Sequence, residues 1–188
     1  MDEYFSNIKQ FAESLDPDTL SALQGISKTR TYRKGDFLLR QGEVCRHSYS
    51  VAEGILRRYY IHDGKEITTG FFFQDDIAVT LESYCLQQPS REFIQALTDT
   101  VVTQTDYRLF QKAKTAFPKL VAFDLLLTEY YSIWLENRLF EFRTLDATRR
   151  YSLLLERQPH LLQKIPLTHI ASYLGISLET LSRIRARI

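Results

Sequence analysis

The chain has 188 residues, of which 44% are apolar and 25% charged, and its formal net charge is +1. This balance is typical of a globular protein with one or two domains, so it excludes a disordered chain and a collagen-like repeat. Its longest apolar runs are too short to cross a bilayer and its acidic start lacks the pattern of a secretory signal, so we expect a cytoplasmic protein.

The first segment, residues 3–24, has the apolar spacing of short helices, with hydrophobic side chains at intervals of three or four. Asp16 and Pro17 predict the cap and the first turn of one of these helices. The sequence therefore predicts a helical start to the chain.

Residues 28–106 read as short strands. Six of the seven glycines lie within the first 70 residues, between short apolar or β-branched stretches. Glycines at such intervals are typical of turns in an all-β sandwich or barrel. Asp63-Gly64, between the stretches 56–61 and 66–73, predicts a hairpin turn.

The pattern changes after residue 105, where glycine is absent until Gly175. Residues 109–142 are predicted to be a helical hairpin or a short helix followed by a long one, with Phe117-Pro118 at the start of the long helix. Two apolar stripes run along that helix, and one of them has the alternating spacing of a coiled coil. We predict a dimer interface there, with burial inside a monomer as the alternative. The predicted interface residues are Phe123, Leu127, Tyr130 and Trp134.

The end of the chain is basic. Residues 143–188 hold eight Lys/Arg and three Asp/Glu, a balance of +5, against −4 for the rest of the chain. This asymmetry favours a polyanionic partner for the C-terminal segment alone. The alternative is a solvated basic helix surface.

Residues 167–188 predict a helix-turn-helix. Gly175 follows Leu174, where a helix end needs a left-handed residue, and Ser177 can cap the following helix. Small Ala171 lies where two helices would cross, and Leu181 begins an apolar face that continues to Ile184 and Ile188. The alternative is a generic amphipathic helical hairpin.

The polar face of the second helix suits the major groove of DNA. Arg183 can bond guanine and Glu179 can accept from cytosine, while Arg185 and Arg187 extend the positive charge toward phosphates. The residues predicted to contact DNA are Thr168, His169, Ser177, Leu178, Glu179, Ser182, Arg183, Arg185 and Arg187.

Several stretches resemble the Crp/Fnr family of bacterial transcription regulators over nearly the whole chain. Residues 32–43 resemble the first strand pair of its cyclic-nucleotide-binding β-roll, residues 51–57 the next repeat and residues 63–66 its hairpin turn. Residues 177–184 resemble its recognition helix.

This resemblance implies an α+β chain with an N-terminal double-stranded β-helix, that is, a jelly-roll-like β-roll with flanking helices. A long dimerisation helix and a C-terminal helix-turn-helix domain follow. The implied domains are 1–116, a cyclic-nucleotide-binding-like sensor; 117–143, the dimerisation helix; and 144–188, the DNA-binding domain. Family members often continue into a β-wing, whereas this sequence ends at Ile188.

The function implied is that of a homodimeric regulator that binds an inverted-repeat operator in double-stranded DNA, with RNA polymerase as a further partner. We expect no enzymatic activity, because the sequence lacks the common nucleophile, phosphate-loop and metalloprotease motifs, and we expect no cofactor, metal or membrane partner. Two cysteines, Cys45 and Cys85, are too few for the four-cysteine iron–sulfur sensors of the family. The remaining alternative is a ligand-sensing module that acts on a protein partner.

The effector pocket departs from the nucleotide-binding members. The resemblance aligns its phosphate cassette with Val79, Thr80, Leu81, Ser90 and Arg91. Val79 and Thr80 replace the family's glycine and glutamate, and Arg91 lies one position late. The neighbouring Glu92 would place an anion beside a phosphate, which is repulsive. We therefore predict weak or absent binding of cyclic AMP and cyclic GMP, and an effector that remains to be identified.

Overall fold

The computed structural model describes residue 8, residues 10–159 and residues 161–187. The first residues of the predicted N-terminal helices and Ile188 lie outside this range. The strands are β1 (Ser27–Tyr32), β2 (Phe37–Leu39), β3 (His47–Glu53), β4 (Leu56–His62), β5 (Lys65–Phe72), β6 (Ile77–Ala78), β7 (Phe93–Ala96) and β8 (Thr100–Asp106). The helices are α1 (Pro17–Gly25), α2 (Leu81–Leu86), α3 (Tyr107–Ala116), α4 (Pro118–Thr144), α5 (Ala147–Arg157), α6 (Leu161–Lys164), α7 (Leu167–Leu174) and α8 (Leu178–Arg185).

The eight strands form two four-stranded sheets, with strand orders β1-β8-β3-β6 and β2-β7-β4-β5. This double sheet is the β-roll that the resemblance implies. The predicted run of strands is interrupted by α2, a helix of six residues that the sequence analysis did not anticipate. The roll thus places the start of α2 beside strands β4, β5 and β7.

The hairpin β4–β5 turns at Asp63-Gly64, as predicted. Both residues have positive φ, 49° and 71°, which suits a tight turn between right-twisted strands. Arg58 pairs with Gly70 and Tyr59 with Thr68, so Thr69 is an extra residue in β5. This bulge bends the hairpin and places the threonine hydroxyls beside the side chains of the facing strand.

Gly54, between β3 and β4, is required by the packing of the roll. Its φ is +93°, and an added Cβ would collide with the hydroxyl of Thr100 and the carbonyl of Asp99. A side chain would therefore meet both a steric clash and an unfavourable backbone conformation at this turn.

The chain forms two compact units, one made of the N-terminal residues through Lys28 with Thr105–Leu145, and the other of Thr29–Gln104 with the residues from Asp146 onward. In the first unit, Asp106 caps α3 by accepting from the backbone N–H of Leu109 at 2.9 Å. Pro118 begins α4, as predicted. The three predicted domains stay a prediction.

The second unit contains the β-roll and the last four helices around one apolar core. Ile55 and Leu97 of the roll pack in the same cluster as Tyr151, Ile170 and Leu181 of the C-terminal helices. Each of these side chains is buried. Among the described residues, no helix is both long and apolar enough to cross a membrane.

Candidate nucleic-acid interface and effector pocket

The helix pair α7–α8 is built as the sequence predicts. Gly175 ends α7 with φ 67°, in the left-handed region, and its backbone N–H donates to carbonyls of the last turn. The Ser177 hydroxyl accepts from the backbone N–H of Thr180 at 3.1 Å and so caps α8. Buried Leu174 and Leu181 anchor the two helices to the core.

The opposite face of α8 is exposed. It carries Leu178, Glu179, Ser182 and Arg183, and the exposed side chains of Arg185 and Arg187 continue it toward the C-terminus. Arg183 donates to the Thr180 hydroxyl at 3.2 Å, which orients its guanidinium along the helix. The pKa of Glu179 is lowered by hydrogen bonds from its own backbone N–H and from Ser177, so its carboxylate is ionised at neutral pH.

Helix α7 carries the other predicted DNA contacts on two different faces. Thr168 is exposed, whereas His169 is half-buried. The pKa of His169 is lowered by burial and by the positive charge of Arg57, with Glu66 acting in the opposite direction. Three residues further along the same helix, the Ser172 hydroxyl bonds the backbone of Thr68 and Glu66, so this face of α7 lies against the β4–β5 hairpin.

The predicted effector residues differ in their exposure. Ser90 is buried, and its hydroxyl bonds the backbone of Glu92 at 3.0 Å. Arg91 points to solvent with 79% of its side chain exposed, where it pairs with Glu82 at 2.6 Å. Thr80 is buried just before Leu81, the first residue of α2. Arg91 is therefore held at the protein surface by Glu82.

A different arginine reaches the cassette from β4. The guanidinium of Arg58, only 4% exposed, donates to the carbonyl of Val79 at 2.7 Å and to the hydroxyl of Thr69 at 3.1 Å. Glu92 accepts from that hydroxyl at 2.7 Å and lies 3.4 Å from the Nε of Arg58. The carbonyl of Val79 is thus bound by an arginine of the protein itself, and half-buried Glu92 is the counterion of this arginine.

Neither Arg58 nor its neighbour Arg57 was among the residues predicted from the sequence. Arg57 is 1% exposed, donates to Thr68 at 3.0 Å and pairs with Glu66 at 2.6 Å. Its guanidinium lies 4.2 Å from the centre of the Tyr59 ring. The sequence does contain a signal for these two residues, since they are adjacent arginines in a stretch of mainly apolar and aromatic side chains. Charges buried in such a strand require partners, so the pair could have been identified as a place where charged groups meet.

Helix α4 presents a seam that differs from the predicted dimer residues. Its exposed large apolar side chains include Val121, Leu125, Leu135, Leu139 and Phe142. Thr128 and Ser132 lie on the same line, in the middle of the helix. Together the seven positions follow one another at alternating intervals of four and three residues, which is the spacing of a coiled coil.

The four predicted interface residues are half-buried within the protomer. Phe123 stacks on Phe11 with ring centroids 6.4 Å apart, and Trp134 stacks on Tyr131 at 5.8 Å. Their assignment to a dimer interface stays a prediction.

The roll matches a known domain family, and the chain has relatives of known fold. The family described as "Cyclic nucleotide-binding domain" matches residues 29–115 of the chain. Transcriptional activator protein Anr of Pseudomonas protegens is 24% identical over 206 aligned positions, which cover 93% of this chain and 76% of that protein.

Two solved structures show the same fold. FixK2 from Bradyrhizobium japonicum superimposes with a TM-score of 0.73 at 20% identity, covering 86% of this chain and 84% of that chain. The Thermus thermophilus Catabolite Activator Protein superimposes with a TM-score of 0.56 at 21% identity, covering 94% and 85%.

Proposed function

We propose that this chain, which belongs to the Crp/Fnr family of transcription regulators, is a homodimeric, sequence-specific DNA-binding regulator that does not respond to cyclic AMP. The observation that carries the proposal is the exposed polar and basic row on α8, backed by a buried apolar face. An α-helix of this kind fits the major groove. The helix pair α7–α8 is then the helix-turn-helix.

Within this proposal the exposed residues divide into readers and anchors. Glu179, Ser182 and Arg183, on the first turns of α8, face base edges. Arg185 and Arg187 meet phosphates, because they lie beyond the readers on the same helix and its end. Ser177, Leu178 and Thr168 flank the readers at the N-terminal ends of the two helices.

Selection of binding sites from random duplexes tests this assignment. The selected sites should show an inverted repeat with half-sites about one helical turn apart. Arg183→Ala should cost about 1–3 kcal/mol on the best site and relax the preference at one base pair per half-site. Arg187→Ala should weaken all sequences alike and flatten the salt dependence. Sites without dyad symmetry, or identical behaviour of the two variants, would contradict the proposal and favour a module that acts on a protein partner.

We assign the dimer interface to the outward seam of α4. Leu139 is 55% exposed, and it belongs to a seam whose two ends are apolar, with Thr128 and Ser132 in the middle. The same seam on a second copy of this helix can cover it. In a coiled coil, each seam side chain of one helix inserts between seam side chains of the other.

A charge placed in the seam tests the dimer. Leu139→Glu should convert the protein to a monomer in sedimentation experiments, because the interface would bury an unpaired carboxylate. Glu136→Gln, an exposed position one turn away, is the matched control and should remain dimeric. Dissociation by Trp134→Glu, with Leu139→Glu still dimeric, would instead support the interface predicted from the sequence.

The Arg58–Glu92 pair supports the absence of a cyclic-nucleotide response. The cassette carbonyl of Val79 is already bound by Arg58, and the Glu92 carboxylate occupies the same surroundings. A cyclic phosphate that binds Arg58 would have to displace the Glu92 carboxylate or lie beside it, which is electrostatically unfavourable.

A further inference from the structure

Helix α7 is bound to the outer edge of strand β5. In the part of the chain that the structure describes, β5 is the last strand of its sheet, so its outward backbone groups face α7 instead of another strand. The Ser172 hydroxyl accepts from the backbone N–H of Thr68 at 2.9 Å and donates to the carbonyl of Glu66 at 2.7 Å. Phe71 of the same strand lies against Tyr173 with ring centroids 5.1 Å apart. The position of α7 therefore depends on the backbone of β5 at Thr68.

A bulge in the strand follows Thr68 directly. Thr68 pairs with Tyr59 and Gly70 with Arg58, so Thr69 lies between two ladder pairs and belongs to neither. The ladder is disrupted at such an extra residue, and the strand bends there. The backbone at Thr69 is therefore fixed less by the sheet than by the contacts of its side chain.

The Arg58–Glu92 pair holds the side chain of Thr69 on the inner side of the sheet. The Thr69 hydroxyl accepts from the Nε of Arg58 at 3.1 Å and donates to a carboxylate oxygen of Glu92 at 2.7 Å. Arg58 is itself buried, and it also donates to the Val79 carbonyl at 2.7 Å. The inner ion pair thus fixes the extra residue of the bulge.

The outer face of the same bulge carries the contacts of Thr68. Its hydroxyl accepts from the Nε of Arg57 at 3.0 Å, its backbone N–H donates to Ser172, and the residue is buried. The peptide unit between Thr68 and Thr69 is planar and of fixed length, so a shift of Thr69 displaces Thr68 as well. Two consecutive threonines thus connect the ion pair inside the roll with the helix that packs against it.

We propose that the Thr68-Thr69 bulge transmits a change at the Arg58–Glu92 pair to the helix pair α7–α8. A ligand that binds either member of the pair takes a partner from the Thr69 hydroxyl, the bulge relaxes, and the bond between Thr68 and Ser172 weakens. The inference rests on the proposed function only for its consequence, which is that the effector pocket controls the position from which α8 reaches DNA. Thr69 and Ser172 are positioning residues in it.

Amide hydrogen exchange in the full chain measures the outer bond without DNA or a ligand. Glu92→Gln removes the negative charge of the inner pair with little change in volume, and it should raise the exchange rate of the Thr68 amide about three- to tenfold. The Ala96 amide on β7, two strands away from β5, donates to the Asp36 carbonyl and should change less than about twofold. Equal rises at both amides would show general destabilisation and overturn the proposal.

Two further variants separate the bulge from the effect of losing any carboxylate. Glu82→Gln is the matched control, because Glu82 pairs with Arg91 at 2.6 Å while both side chains are exposed, and it should leave both amides unchanged. Thr69→Val keeps the shape of the side chain but removes its hydroxyl, so it should raise the exchange rate of Thr68 as Glu92→Gln does. An unchanged Thr68 rate in either Glu92→Gln or Thr69→Val would contradict the proposal.

A double variant tests whether the inner and outer bonds are connected. Ser172→Ala should remove most of the protection of the Thr68 amide, because the acceptor of this N–H is lost. Residues without a shared partner normally have additive effects, so an independent Glu92→Gln would raise this rate by its full factor again. With transmission through the bulge, the further rise should stay below about twofold, and the full additional factor would refute it. Selection of DNA sites is scored separately, so its failure would count against the proposed function and not against the bulge.

Discussion

Strand β4 carries two adjacent buried arginines, and each faces a different part of the protein. Arg58 points into the roll, where a backbone carbonyl, a hydroxyl and Glu92 bind it. Arg57 points toward α7 and retains one buried N–H group without a partner among the described residues. The guanidinium of the inner arginine is bound within the roll, whereas that of the outer one lies on the opposite face of the strand and pairs with Glu66. Adjacent residues of one strand thus serve different purposes, because successive side chains lie on opposite faces.

Removing the carboxylate of the outer pair should have the largest effect. Glu66→Ala should lower the free energy of unfolding by about 3 kcal/mol, because it leaves the buried guanidinium of Arg57 without its counterion. Urea denaturation measures this loss. A change no larger than that of Glu92→Ala would mean that Arg57 finds another partner, and it would break the contrast between the two faces.

Removing the carboxylate of the inner pair should cost less. Glu92→Ala should lower the free energy of unfolding by about 1–2 kcal/mol, since Arg58 retains the Val79 carbonyl and the Thr69 hydroxyl. This substitution also leaves the positive charge of Arg58 without the Glu92 carboxylate beside it.

Calorimetry on the same variant sharpens this comparison. The natural chain should bind neither cyclic AMP nor cyclic GMP at up to about 1 mM ligand, whereas Glu92→Ala should gain affinity for inorganic phosphate or a cyclic nucleotide. Binding of cyclic AMP to the unaltered chain would show that the ion pair does not close the pocket.

The exposed pair Arg91–Glu82 should show the smallest effect and provides the matched control. Its distance is 2.6 Å, equal to that of Arg57–Glu66, but both side chains are well exposed. Glu82→Ala should leave the urea midpoint unchanged, because solvent screens such pairs. If Glu82→Ala lowered the free energy of unfolding as much as Glu92→Ala does, burial would not explain why the ion pairs of these arginines differ in strength.

Much of the fold could be predicted from local patterns. The hairpin turn at Asp63-Gly64, the start of α4 at Pro118, the end of α7 at Gly175 and the cap at Ser177 occur where the sequence predicts them. Each depends on backbone preferences or on hydrogen bonds within four residues, so neighbouring residues are sufficient to specify it.

The candidate sites were predicted less completely. The exposed residues of α8 follow from helical periodicity, but periodicity gives no reason for His169 to face the hairpin instead of DNA. For the effector pocket, the resemblance to the family pointed to Arg91, whereas the roll brings Arg58 to the Val79 carbonyl across 21 residues. Contacts of this range depend on strand register, including the bulge at Thr69, which no local pattern reveals.

The sequence by itself determined the order of the helical and strand-rich regions, the basic character of the C-terminal segment and the resemblance to a regulator family, because these depend on composition, periodicity and motifs. The tertiary structure alone decided which charges are paired and where they are buried. It brought Glu92 to Arg58 and Ser172 to the edge of β5, contacts between residues 34 and 104 or more positions apart. The physical reason is that a charge or an edge amide takes whichever partner the packed chain places beside it, and packing is a property of the whole fold.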